Sequence, residues 1–350
     1  MSGDYIQGLQ WQAKSCRDLG SAFSAEMLER AIAGELGPLD DLFAPWEGHG
    51  PQNHLKEATP LRLLGVLHAI ALAEPDGPLA AQYPARTDTP DWPALTAAAK
   101  AVLTERRAEV VAFMVSPPQT NEVGRSFCMA PGFQVIAAET GLPLRLFEIG
   151  ASAGLNLRFD RYAYDFAGRP WGDAGSAVML DNEWRGAAPP LNPVQVTERS
   201  GCDQAPVDIA DPARALRLQA YVWPDQARRL ARVRGAIAIA QAHPASLEKA
   251  DAAAWTAANL APKSGVASVL FHSVMWQYMP AVTQAAVRAA IEAAGGAASP
   301  EAPVAWLRME PNPQRPQWQM ELRLTLWPGG EDRHLADVHP HGAWVEWRRN

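Results

Sequence analysis

Residues 144–149, LRLFEI, form an apolar run that leads straight into Gly150-Ala151-Ser152-Ala153-Gly154. A strand that is apolar on both alternating faces needs cover on both sides, which is the setting of a parallel sheet between helices. Glycine lets the backbone turn sharply and approach a ligand, and in open α/β sheets this turn is where ligands bind. The glycines lie four apart, so the GxGxxG spacing of dinucleotide binding is absent. Glu148, two residues before the first glycine, would repel a pyrophosphate and suits an amine or another cation.

From about residue 132 the pattern alternates between helix and strand. Strands are predicted over 144–149, 194–198, a segment ending at 250–252, 266–274, 304–309, 319–326 and 344–347, with a short helix over 133–140. A stretch broken by glycine and proline, about residues 160–192, reads as an inserted β-hairpin. Before this region, apolar spacing of three and four predicts helices over 23–36, 60–72 and 95–115. The expected division is a helical N-terminal cap over 1–116 and a sheet domain over 117–350. Pro117 and Pro118 stop the last helix of the cap.

Thirty-one basic residues against 38 acidic ones create no field that would gather nucleic acid or an anionic membrane. A small-molecule substrate is the expected partner, and oligomeric state is left open. Cys16, Cys128 and Cys202 show no CxxC pairing, which fits a reducing compartment. With no secretory leader pattern and no apolar run of 18 residues, a cytoplasmic protein is expected. His339 and His341 have ligand-like spacing, but no cysteine or carboxylate accompanies them, so no metal site is expected.

The order Glu148, Gly150, Gly154 resembles the first motif of class I S-adenosylmethionine-dependent methyltransferases, acidic-x-Gly-x-x-x-Gly. Gly201-x-Asp203-x-x-Pro206 is similar to that family's second acidic motif, which holds the ribose hydroxyls. Lys249-Ala250-Asp251-Ala252 is similar to the third, which reaches the adenine amino group. The resemblance implies a Rossmann-like methyltransferase sheet of about seven strands, the last antiparallel, with S-adenosylmethionine as cofactor. Glu148, Gly150, Ser152, Gly154, Asp203, Asp251 and His272 would bind it. Asn121, Glu122, Arg125, Trp276 and Gln277 would face the acceptor, and Glu310, His341 and Tyr278 are candidates for proton transfer. Ser152 stands where the family has a central glycine, and about 50 residues separate the first two motifs. More narrowly, PPQTNEVGRS, EIGASAGLNL, YVWPDQ, FHSVMWQY and HPHGAWVEW resemble segments of a bacterial family with a domain of unknown function.

The same residues carry a competing reading. Gly150-x-Ser152-x-Gly154 also matches the nucleophile elbow of α/β-hydrolases, with Ser152 attacking and His339 or His341 as base. A third possibility is a protein that binds S-adenosylmethionine without catalysis.

Overall fold

The computed structural model describes residues 3–312, 314 and 319–348. The chain folds into two compact units, Met1–Thr120 with Ala210–Ala231, and Asn121–Ile209 with Arg232–Asn350. The chain begins with helices α1 (Asp4–Asp18), α2 (Ala22–Ile32), α3 (Asp40–Phe43), α4 (Pro51–Lys56), α5 (Thr59–Ala73), α6 (Trp92–Glu105) and α7 (Arg107–Val115). There follow α8 (Arg125–Thr140), β1 (Leu144–Ile149), β2 (Ala163–Asp165), β3 (Pro170–Gly172), β4 (Met179–Leu180), β5 (Glu183–Gly186) and β6 (Val196–Asp203). Then come α9 (Pro212–Ala220), α10 (Ala227–Ala242), β7 (Ser246–Lys249), α11 (Ala252–Asn259), β8 (Ala267–Ser273) and α12 (Ala281–Gly296). Four strands close the chain: β9 (Val304–Pro311), β10 (Met320–Trp327), β11 (Glu331–Val338) and β12 (Trp344–Trp347).

In the first unit, α1–α7 and the returning α9 surround a core that includes Leu9, Leu28, Phe43, Leu63 and Leu95. Side chains close some of the helix ends. Asp91 caps α6 through the N–H of Ala94. The buried guanidinium of Arg62 donates to the carbonyls of Met114 and Val115 at the end of α7. The helix expected over 95–115 is two helices, because the backbone leaves helical geometry at Arg106. No described helix is long and apolar enough to cross a membrane.

The second unit is mixed α/β around a large, mostly parallel sheet of nine strands, in the order β5-β12-β11-β10-β9-β8-β1-β6-β7. Seven were expected. The strand missed is β11, whose sequence EDRHLADV looks like a loop; its polar groups are paired instead, as in Arg333 with Glu139 at 2.7 Å. The inserted hairpin is a three-stranded sheet, β3-β2-β4, and its continuation β5 joins the edge of the main sheet beside β12. β12 runs antiparallel to β11, but so do β10 and β11 to their neighbours, which makes a meander of the last four strands. α8 begins at Arg125 and runs through Pro131, eight residues before the expected start. Burial of Phe127, Cys128 and Met129 offsets the one backbone hydrogen bond that proline removes.

β1 is an interior strand, third from the β7 edge of the sheet, and is covered on both faces. Phe147 and Ile149 join Trp255, Leu270, Val287 and Trp306 in a core beneath α11 and α12. Leu146 and Glu148 alternate with them and so point to the other face, where α8 packs. There Phe133 of α8 stacks on Phe159 at 4.0 Å and meets Phe271 edge-on at 5.1 Å. The chain leaves β1 for β6 on one side and later returns as β8 on the other. Strand order therefore reverses between β1 and β8, the switch point at whose carboxyl ends open α/β sheets bind ligands.

Phe133→Ala removes a fully buried ring from both aromatic contacts, so the second unit should lose about 3–5 kcal/mol in urea unfolding. A loss under about 1 kcal/mol would show that this stack does not anchor α8 to the sheet.

Candidate functional site

The turn after β1 is held in an uncommon shape. Gly150, Ser152 and Gly154 have φ of 68°, 52° and 66°. Glycine adopts this region freely, whereas Ser152 adopts it at a cost that its surroundings must offset. The Ser152 N–H donates to Asp203 Oδ2 at 2.9 Å, and the Ser152 carbonyl accepts from the Val207 N–H at 3.1 Å. Asp203 Oδ1 accepts from the Ala205 N–H at 2.8 Å. Asp203 thus clamps the end of β6 to the turn. A side chain at Gly150 would come within 2.9 Å of Met275, so the methionine fills the space the glycine leaves.

Three polar atoms around this turn are buried and have no hydrogen-bond partner: Glu148 Oε2, Ser152 Oγ and Asn156 Nδ2. Burial pushes the Glu148 carboxyl well above its ordinary range; Asp203 adds to this, while Arg158 and Arg125 oppose it. Arg158 is itself buried and donates to the Gly154 carbonyl at 2.6 Å and to that of His243 at 2.9 Å.

The segment before α8 closes on the same turn. Asn121 Oδ1 accepts from the Leu155 N–H at 2.7 Å, and Glu122 Oε1 from the Gly124 N–H at 2.9 Å. Arg125 donates to the carbonyls of Pro340 and Ser273 at 3.0 and 3.2 Å. That contact brings in the loop of His341, whose backbone carbonyl lies against Gly124 and whose N–H donates to His339 Nδ1 at 3.1 Å. Asp251 caps α11, accepting from Ala253 and Ala254 with Oδ1.

The other predicted residues form a separate group. His272 alternates with Phe271 along β8 and so faces α12, on the opposite side of the sheet from Glu148. The Trp306 indole N–H donates to His272 Nε2 at 3.0 Å, which places the ring proton on Nδ1, donated to Glu310 Oε1 at 2.7 Å. Glu310 also accepts from the N–H groups of Met275 and Trp276 at 3.2 and 3.3 Å. Trp276 stacks on His272 at 5.1 Å. Gln277 is exposed, and Tyr278 is 78% exposed, outside both groups.

Several residues of these groups had no role in the sequence reading. Asn156 stood inside the turn motif unassigned, and Arg158 followed it. Trp306 and Arg308 alternate along β9 with Glu310, the one of the three already assigned a role, a period-two signal for one shared face. Glu321, His334 and Asp337 bring ligand-type atoms within 4.8 Å of one another. Arg323 and Arg348 already neutralise those two carboxylates, which accounts for the cluster as an ion-pair network.

The description "Uncharacterized protein conserved in bacteria (DUF2332)" belongs to a family model that matches residues 7–347. No curated protein and no solved structure matches the chain.

The raised Glu148 carboxyl has a consequence for stability. The folded chain keeps a proton that the unfolded chain releases near the ordinary value of 4.5. Its stabilisation is fully present below that value and is lost as pH rises through the folded-state value. Glu148→Gln should flatten this decline in urea midpoints measured from pH 4 upward. An identical pH profile in both proteins would show that Glu148 is not buried as described.

Proposed function

The chain belongs to the DUF2332 family of uncharacterized proteins conserved in bacteria, and on that footing we propose that its second unit binds S-adenosylmethionine at the turn after β1 and methylates a small acceptor. The observation that carries the proposal is the buried, unpartnered Glu148 Oε2 beside the unpartnered Ser152 Oγ and Asn156 Nδ2. Buried polar atoms are nearly always satisfied, and a set left open at a topological switch point fits a ligand with cationic and hydroxyl groups.

Glu148 is the group that would face an ammonium or sulfonium. A cation there would draw the proton off Glu148 and restore its charge. Ser152 and Asn156 offer hydrogen bonds beside it. Asp203 keeps lone pairs beyond the two spent on backbone N–H groups, and Asp251 keeps Oδ2. S-adenosylmethionine, when bound, supplies a methyl group already activated by its sulfonium. The chain's part is to hold cofactor and acceptor in line and to exclude water. No general base is assigned. Glu310 already accepts three N–H groups, and Tyr278 stands in solvent.

The positive φ of Ser152 also favours the nucleophile-elbow reading. Its Oγ has no hydrogen-bond partner, however, so neither His339 nor His341 is hydrogen-bonded to it. A serine nucleophile would therefore lack its base. Fluorophosphonate labelling of Ser152, abolished by Ser152→Ala, would favour the hydrolase over the methyltransferase.

Isothermal titration with S-adenosylmethionine and S-adenosylhomocysteine tests the proposal directly. Binding is expected, about tenfold or more weaker in Glu148→Gln, the range for losing one charged contact. Affinity should rise with pH, because Glu148 must give up its proton to pair with a cation. No heat from either ligand, with the protein shown to be folded, would overturn the proposal.

A further inference from the structure

Beneath α12, strands β8, β9 and β10 line a cleft of about 310 Å³ on the face of the sheet opposite Glu148. Its wall is a column of flat groups. Trp276 stacks on the His272 ring, and the Arg288 guanidinium is 5.7 Å from the indole centroid. Arg288 is also 5.2 Å from the centroid of Trp306, and Arg308 lies 4.1 Å from the same ring. Indole quadrupoles attract these cations and restrict where the guanidiniums can go.

Among the described residues, most charged side chains of the cleft are engaged by a partner. Arg308 pairs with Asp332 at 2.7 Å, and Arg323 pairs with Glu321 at 2.9 Å and with Asp332 at 3.1 Å. Glu321 accepts in addition from Asn312 at 2.7 Å. Glu310 is met by three N–H donors, and the His272 tautomer set by Trp306 is neutral. Arg288 has neither ion pair nor hydrogen bond among the described residues, and Glu292, one turn further along α12, makes no pair with it. Its five N–H donors, on a weakly hydrated and always charged group, are exposed at the cleft.

We infer that this cleft binds a small molecule through a carboxylate or phosphate, with Arg288 as its anchor. A guanidinium matches either oxyanion with two parallel hydrogen bonds, and two indoles pre-order it for that contact. Glu321 is neutralised by Arg323, and the charge of Glu310 is partly offset by its three N–H donors. The inference does not depend on S-adenosylmethionine binding at the other face.

Titration calorimetry of the full chain with benzoate, phenyl phosphate and neutral benzamide tests it. One oxyanion probe should bind with a stoichiometry of one, and benzamide should not. Arg288→Ala and Arg288→Gln should each weaken that binding about tenfold or more, with Arg288→Lys in between. Because Arg288 is exposed, the variants should melt like the parent, and a melting curve of each checks this. Preference for benzoate identifies a carboxylate ligand; preference for phenyl phosphate identifies a phosphate ester. Absence of binding by both probes, or equal affinity in Arg288→Ala, would overturn the inference.

Discussion

One carboxylate holds the turn on which the candidate site depends. Asp203, at the end of β6, accepts the N–H of Ser152 and so fixes a residue whose φ is unfavourable for any side chain but glycine. With that bond in place, Gly150 and Gly154 can flank it in the same left-handed region, and the chain passes from a buried strand into the 155–161 segment. Arg158 and Asn121 tie the far side of the turn through Gly154 and Leu155. Glu148 is left beneath, buried by the same packing that leaves one of its oxygens without a partner.

The sheet separates two chemistries by alternation. On the α8 face stand Glu148, Ser152 and Asn156, with Arg125 and Arg158 nearby. On the α12 face stand His272, Glu310, Trp276 and the arginines. Met275 connects them: its side chain covers Gly150, and its N–H donates to Glu310. A change on one face could therefore reach the other through that residue, although each set of side chains has its own contacts.

Much of the fold was legible because apolar periodicity is strong where burial is complete. β1 and β8 are buried along nearly their whole length, and β9 along its first half, and all three read clearly as strands. β11 did not, since its charged side chains are satisfied by partners distant in sequence, such as Glu139, and ion pairing across 194 residues leaves no local pattern. β5 was hidden for a similar reason: four residues paired only with β12 cannot be told from a loop. In the site, Glu148 and Ser152 were visible from their place beside glycines. Arg288 was not, because an arginine on an amphipathic helix reads as solvated surface unless the two indoles beside it are known.

The sequence by itself determined that a buried strand ends in a glycine turn after an acid, since spacing and residue type are local properties. It also determined the net charge of −7 at neutral pH. Only the tertiary structure decided which of those residues share a face. His272 and Glu148 both lie near strand ends, yet the one-residue alternation of adjacent strands sends them to opposite sides of the sheet. Burial likewise decided which polar atoms remain unsatisfied, because that depends on every neighbour brought up by the fold and not on the residue's own type.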